Sequence, residues 1–315
     1  MTQRGRLTVT HVGRYELGER IAGGGMGDVY LARLPLGGNR MVALKILHDQ
    51  LAKDPQFVAM FHDEAKLLGK LAHPATVQLY EHGVDEGRHF IAMELLIGEP
   101  LIDVWNAHTS QRSKVPYPVL AWIGARVCDG LHHAHELRDE NGALENVVHR
   151  DVNPSNVFVT FDGRVKVIDF GLARRKTRTA TTSAGVVKGK LAYLAPEVIA
   201  GKAPDRRADV FALGTTLWEI GVDRRLFKRD ADVDTVLAIH ECDIPDPRTL
   251  APDFPRRLWT IVKRALAKHP DDRYATTEAM GIDLDACAAA LGPAVTATTL
   301  AQMMVRVCSW GGGKK

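Results

Sequence analysis

The chain has 315 residues, 45% hydrophobic and 25% charged, with a formal net charge of +3. That length is enough to bury the core of one large domain or two moderate ones. So small a charge says little about partners; a nucleic-acid binder, which is not expected here, more often shows a basic excess concentrated on one face. Cys128, Cys242, Cys287 and Cys308 form neither a CxxC pair nor a zinc spacing, and read as reduced thiols of a cytosolic protein. The first twenty residues lack the apolar core of a signal peptide. No window approaches the roughly 18 apolar residues of a membrane span. The expectation is a soluble, cytoplasmic chain, complete or the catalytic part of a longer product, with its oligomeric state open.

Residues 15 to 47 alternate apolar and polar positions around glycines, which predicts three strands joined by Gly-rich turns. A helix follows, with Phe57, Phe61, Ala65 and Leu68 on one face. Two more strands are expected at 78–80 and 89–95. From Leu101 the pattern turns helical. Val119, Ile123, Val127 and Leu131 recur every fourth residue behind Pro118, a helix start. Short strand-like runs flank the turn Phe161-Asp162-Gly163-Arg164. Further helices are predicted over 209–220, 256–267 and 276–291. After Pro293, Leu300, Met303, Met304 and Val307 predict a last helix packed on the large lobe, and the final GGGKK is expected to be disordered. The fold class is therefore α+β. A sheet-rich lobe with one helix spans 15–96, a mostly helical lobe 97–292, and a helix with a tail 293–315. Ligands favour the cleft between such units, here with a hinge near Glu94 to Gly98.

The first motif with chemical content is Ile21-Ala22-Gly23-Gly24-Gly25-Met26-Gly27-Asp28-Val29. Glycines let backbone N–H groups approach phosphate oxygens where a Cβ would collide. No Gly-Lys-Ser/Thr follows, so this is not a Walker A loop, and strand-like Val29 to Ala32 stands where a Rossmann motif needs a helix. Alone it is equally well a glycine-rich hairpin without a ligand. The second motif is Val42-Ala43-Leu44-Lys45. A lysine in an apolar strand needs an anionic partner, which Glu64 in the next helix can supply. The third is His149-Arg150-Asp151-Val152-Asn153-Pro154-Ser155-Asn156, then Asp169-Phe170-Gly171 and Ala195-Pro196-Glu197. Phosphoryl transfer needs a carboxylate to orient a hydroxyl, for which Asp151 is suited. It also needs oxygen ligands for a divalent cation, for which Asn156 and Asp169 are suited.

This ordered series resembles the protein kinase superfamily, and within it the bacterial eukaryotic-like Ser/Thr kinases, over about residues 15 to 291. The resemblance implies the bilobal kinase fold and transfer of the γ-phosphoryl group of ATP, with Mg²⁺ (or Mn²⁺), to protein Ser/Thr hydroxyls. It implies that Lys45 holds the α- and β-phosphates while paired with Glu64. Ile21, Gly23, Gly24, Gly27, Val29 and Ala43 would cover the nucleotide. Met93 would be the gatekeeper, the backbone of Glu94 and Leu96 would meet the adenine edge, and Phe158 would complete the nucleotide site. Asp209 resembles the buried aspartate that braces the catalytic loop, and Glu197 with Arg273 the ion pair that ties down the activation segment. Pro154 and Asn156 resemble the Ser/Thr catalytic loop. The substrates themselves are not identifiable.

Three positions depart from the pattern. Ala22 replaces the first loop glycine, which is tolerable unless that residue needs a positive φ. Asn153 stands where Ser/Thr kinases usually carry a charge-neutralising lysine, and an amide has no charge to offer. Lys190 stands where they usually have Thr beside the catalytic Asp. The sequence suggests that Lys190 returns the missing cation, at a position expected to touch Asn153. Arg150 goes in the family with activation-loop phosphorylation, for which Thr182, with Ser183 beside it, best matches the site. The basic residues Arg174, Arg175, Lys176 and Arg178 would be solvated or attract acidic substrates. His132, His133 and His135 do not share one helix face and read as packing residues. The alternative is a nucleotide-binding pseudokinase scaffold, resting on Asn153 and Ala22. A small-molecule phosphotransferase is disfavoured by the Ala195-Pro196-Glu197 segment.

Overall fold

The computed structural model describes residues 10–170 and 190–308. The chain divides into two compact units, one of Met1–Ala72 with Val77–Leu96, the other of His73–Thr76 with Ile97–Lys315.

The first unit is an antiparallel sheet with one helix. Its strands are β1 (His11–Val12), β2 (Tyr15–Gly23), β3 (Gly27–Leu34), β4 (Arg40–Leu47), β5 (Leu79–Asp85) and β6 (Arg88–Glu94), in the order β1-β2-β3-β4-β6-β5. Alternation decides what each face buries. Val42 and Leu44 of β4 pack with Val12, Tyr15, Ala32, Phe90 and Ala92 on one side. Leu47, two residues on from Lys45, meets Phe61 and Ala65 of helix α1 (Pro55–Lys70) on the other, together with Ile91. Asp54 caps that helix by accepting from the Gln56 amide, and Pro55 opens its first turn. Of the predicted stripe, Phe61, Ala65 and Leu68 are buried and Phe57 half-buried.

The second unit holds a small sheet, β7 (Gly98–Pro100), β8 (Val157–Thr160) and β9 (Val165–Val167) in that order, within a helical body. The helices are α2 (Leu101–Ser110), α3 (Tyr117–His135), α4 (Pro196–Ile199), α5 (Arg206–Val222), α6 (Asp232–Glu241), α7 (Arg256–Ala265), α8 (Thr277–Leu291) and α9 (Ala297–Val307). Every residue of α5 from Ala208 to Val222 is buried, so that helix forms the core axis and carries no polar face. Helix α3 packs on α5 and α8. A Cβ on Gly124 would lie 3.1 Å from both Leu217 and Leu284. Helix α9 lies against α2 and β8 with Leu300, Met303 and Met304 buried, and Val307 accepts from Gln111.

Several boundaries differ from the sequence reading. Helix α3 starts at Tyr117, with Pro118 inside its first turn, and α7 stops at Ala265. Helix α6 has no predicted counterpart, because it buries only Thr235 and Ile239 and leaves Val233 and Leu237 exposed. An apolar stripe that faces water gives periodicity little to report. Among the described residues no helix is long and apolar enough to cross a membrane. The glycine-rich tail at 311–315 lies outside the described residues.

One buried ion pair links distant parts of the second unit. Arg273 donates from Nη1 and Nη2 to the two Glu197 carboxylate oxygens at 2.8 and 2.7 Å, and its side chain is fully buried. Removing one partner strands the other charge. Arg273→Ala is expected to lower unfolding free energy by about 3–5 kcal/mol, read as a shift of the urea midpoint.

Candidate active site

In the first unit, Lys45 Nζ donates to Glu64 Oε1 at 2.7 Å, with side-chain exposures of 13% and 9%. The pair forms because Lys45 lies on the β4 face that α1 covers, where Phe61 and Ala65 seat the helix beside it. Strand alternation then leaves Ala43 on the same face, paired in register with Met93 of β6. Met93 is half-buried against the Leu47, Phe61, Ala65 and Ile91 cluster. The Glu94 amide already donates to Gln78 O at 2.9 Å, so any ligand contact from that backbone falls to its carbonyl. Leu96 is half-buried.

The Gly-rich hairpin joins β2 to β3. Gly24 N donates to Gly27 O at 2.9 Å, Arg20 pairs with Asp28 at 3.0 Å, and Ile21 through Gly25 are exposed while Val29 is half-buried. The glycines do not all serve one purpose. A Cβ on Gly27 would sit 2.1 Å from Ile46 O, so close pairing with β4 demands that glycine whatever binds nearby. Gly23 and Gly24 have no such backbone obstruction under 3.0 Å. Ala22 is not among the residues of positive φ, so its methyl adds no backbone strain.

In the second unit the catalytic-loop residues converge on Asp209, which is fully buried in α5. Its Oδ2 accepts from His149 N at 2.8 Å and its Oδ1 from Arg150 N at 2.9 Å, and His135 Nε2 lies 2.8 Å from Oδ2. Arg150 has φ +67°, a left-handed conformation costly for a branched-off side chain, and the paired bonds to Asp209 hold it there. Burial by itself raises the Asp209 carboxyl, but the His135 hydrogen bond and the adjoining donors bring it below the ordinary aspartate value. Sequence reading grouped His135 with His132 and His133. It is distinguished by continuing the Val119, Ile123, Val127, Leu131 stripe one further turn.

Asp151 follows, 8% exposed. Its Oδ2 accepts from Asn156 Nδ2 at 2.8 Å and from Lys190 Nζ at 2.6 Å. Asn156 also donates to Asp151 O, at 2.8 Å. Asn153 turns into the loop: its Nδ2 donates to Asp151 O at 2.7 Å and its Oδ1 accepts from Ser155 N at 2.9 Å. Both ends of its amide thus shape the turn, and Lys190 reaches Asp151 while lining a cavity wall with Asn153.

The segment carrying Asp169 is tied to this loop. Ile168 N donates to Asn156 O at 2.9 Å, and His149 Nε2 lies 3.1 Å from Ile168 O. The His149 ring packs on Phe170 with centroids 4.5 Å apart. Asp169 itself has φ +55°, a second non-glycine residue in the left-handed region within the same few turns. Such outliers cluster at functional sites. Asn156 and Asp169 offer oxygen donors of the hard kind that Mg²⁺ or Mn²⁺ takes. Among the described residues no group of three His, Cys, Asp or Glu could hold a metal. Phe158 is half-buried in β8, opposite Lys166. His133 stacks on His73 at 5.1 Å and His132 lies 3.7 Å from Glu278, so neither joins this site. Gly171, Thr182, Ser183 and the basic run at 174–178 lie outside the described residues.

Comparison with known proteins places these residues in context. The protein kinase domain family profile matches residues 15–283. The chain is 44% identical over 276 residues to the tyrosine-protein kinase MasK of Myxococcus xanthus, covering 87% of this chain and 43% of that one. It is 34% identical over 276 residues to the serine/threonine-protein kinase PknL of Mycobacterium tuberculosis, covering 87% of this chain and 66% of the relative. The chain therefore spans about two fifths to two thirds of the length of these relatives. Among solved structures, the M. tuberculosis PknI kinase domain superposes with a TM-score of 0.66 at 27% identity, over 89% of this chain and 98% of that domain.

The buried His149 sets a pH dependence. Burial holds its imidazole below the ordinary value, more than the nearby Asp209 and Asp151 carboxylates restore. The unfolded chain takes up that proton near pH 6.5 while the folded chain does not. The stabilising contribution is thus complete above that pH and is lost as pH falls below it, at up to about 1.4 kcal/mol per pH unit. The urea midpoint is expected to fall between pH 7.5 and 5.5, and His149→Gln is expected to flatten the slope.

Proposed function

The chain belongs to the protein kinase family, and on that premise we propose that it transfers the γ-phosphoryl group of ATP to Ser and Thr hydroxyls of proteins. The carrying observation is the Asp151 carboxylate, buried and oriented by Asn156 and Lys190 through bonds of 2.8 and 2.6 Å. Asp151 accepts the hydrogen of the substrate hydroxyl and aims its oxygen at the γ-phosphorus. As the new oxygen–phosphorus bond forms, the bond to the bridging oxygen of ADP breaks, and ADP leaves with that electron pair. The hydroxyl proton passes to Asp151.

Lys45, placed by Glu64, meets the α- and β-phosphates. Ile21, Gly23, Gly24, Gly27, Val29, Ala43, Met93, the Glu94 carbonyl, Leu96 and Phe158 make up the nucleotide-binding set. Asn156 and Asp169 would hold a divalent cation, Mg²⁺ or Mn²⁺. When bound, that ion neutralises charge on the β- and γ-phosphates. Asn153 keeps the loop in shape. Lys190 supplies the positive charge that Asn153 lacks, next to the carboxylate where the transferring group arrives. Arg150 is the receiver for an activation-loop phosphate, for which Thr182 is the first choice and Ser183 the second.

Relatives at 32–36% identity that are named serine/threonine kinases support the hydroxyl class. One observation favours a second reading, phosphorylation of tyrosine: the relative of 44% identity is named a tyrosine kinase. Phosphoamino-acid analysis after incubation with radiolabelled ATP separates the two, and phosphoserine and phosphothreonine are the expected products. Asp151→Asn is expected to abolish the label; an unlabelled wild-type protein would leave a scaffold without turnover.

Lys190→Ala is expected to lower turnover by roughly 10²–10³-fold, the scale of removing one electrostatic stabiliser. Unchanged turnover in that variant would sink the role assigned to this lysine. Phosphopeptide mapping is expected to find the autophosphorylated residue at Thr182.

A further inference from the structure

Lys190 lines two neighbouring cavities of the second unit. One, of about 560 Å³, contains Asp151. The other, of about 390 Å³, is walled by Asn153, Lys190, Tyr193, Glu219, Arg225 and Lys228 among others. The lining of this second cavity carries three cations and one carboxylate, with Lys190 paired to Asp151 and Arg225 to that carboxylate.

That carboxylate is already consumed. Glu219 is fully buried and accepts from Tyr193 Oη at 2.7 Å, from Leu226 N at 2.9 Å and from Arg225 Nη1 at 3.0 Å. Arg225 and Lys228 are less engaged. Both side-chain hydrogen bonds of Arg225 leave from Nη1, while its guanidinium lies over the Trp105 ring at 4.7 Å with 44% of the side chain exposed. Among the described residues its Nε and Nη2 thus remain as donors. Among the described residues the ion-pair partner of Lys228 is Asp232, at 3.6 Å, beyond good hydrogen-bonding distance.

We propose that this cavity reads an Asp or Glu side chain of the protein substrate, one to three residues from the hydroxyl that is phosphorylated. The inference rests on the kinase reading and names its substrate class. An acceptor hydroxyl must sit at Asp151, which Lys190 touches, and an extended chain advances about 3.3–3.6 Å per residue. Neighbouring side chains of the substrate therefore arrive at the wall the two cavities share. There a carboxylate meets donors of Arg225 and the Lys228 ammonium, and a substrate arginine finds Glu219 taken. The residues differ from the basic run at 174–178.

The test compares three acceptor peptides, identical except for Ala, Glu or Arg at the flanking positions. Both kcat/KM and the binding of fluorescein-labelled versions with Ala in place of the acceptor are measured. The wild-type protein is expected to favour the Glu peptide over the Ala peptide on the order of tenfold, through KM and binding, with the ratio shrinking at high salt. In Lys228→Glu the Glu-to-Ala ratio is expected to drop below one and the Arg peptide to gain. Arg225→Gln, read by the same ratio, covers the case of a misfolded Lys228→Glu protein. Equal handling of Glu and Ala peptides by the wild type, or a preference for Arg, overturns the inference while leaving the kinase reading intact. Absence of both peptide labelling and autophosphorylation, with no difference in peptide binding, overturns both.

Discussion

A single buried carboxylate organises the catalytic loop. Asp209 lies at the first turn of α5, a helix with no polar face, and would be costly to ionise there without donors. It finds them in the amides of His149 and Arg150 and in the ring of His135. Charge-assisted bonds of this kind are roughly twice as strong as neutral ones. They hold Arg150 at φ +67°, and the backbone that leaves Arg150 in that conformation delivers Asp151 next. Loss of this one group would release the strain and the aim of the loop together.

Around Asp151 the chain keeps the logic of its family while exchanging parts. An amide at 153 cannot neutralise a phosphoryl group, but it can bond at both ends, and here it does, to Asp151 O and Ser155 N. In the proposed reading the positive charge comes instead from Lys190, 39 residues beyond Asp151, whose carboxylate it meets. A two-residue exchange of this sort separates loop shaping from charge supply. It also places an ammonium on the wall shared with the cavity of Arg225 and Lys228.

The first unit solves a different problem, holding a lysine in an apolar strand. Alternation puts Lys45 on the side of β4 that α1 covers, and α1 brings Glu64 to it. Sheet packing thus sets the charge pair, because Phe61 and Ala65 fix the helix that carries the glutamate. Gly27 belongs to the same packing question: its place in the motif is required by the approach of β3 to β4, independently of phosphate.

Much was legible in the chain by itself. Periodicity marked the strands of 15–47, the α1 face and the α3 stripe, since burial on one side forces the period. The ordered motifs singled out Lys45 with Glu64 and Asp151 with Asn156, and each of these pairs is joined by a hydrogen bond. Folding alone decided the rest. It turned the Asn153 amide inward, singled out His135 from its two neighbours, occupied the Glu94 amide with Gln78, and paired Glu219 with Arg225. It also formed α6, whose exposed apolar residues leave no clean pattern. Each of these depends on which atoms of sequence-distant residues come within about 3 Å, and residue order carries side-chain type and period but not that distance.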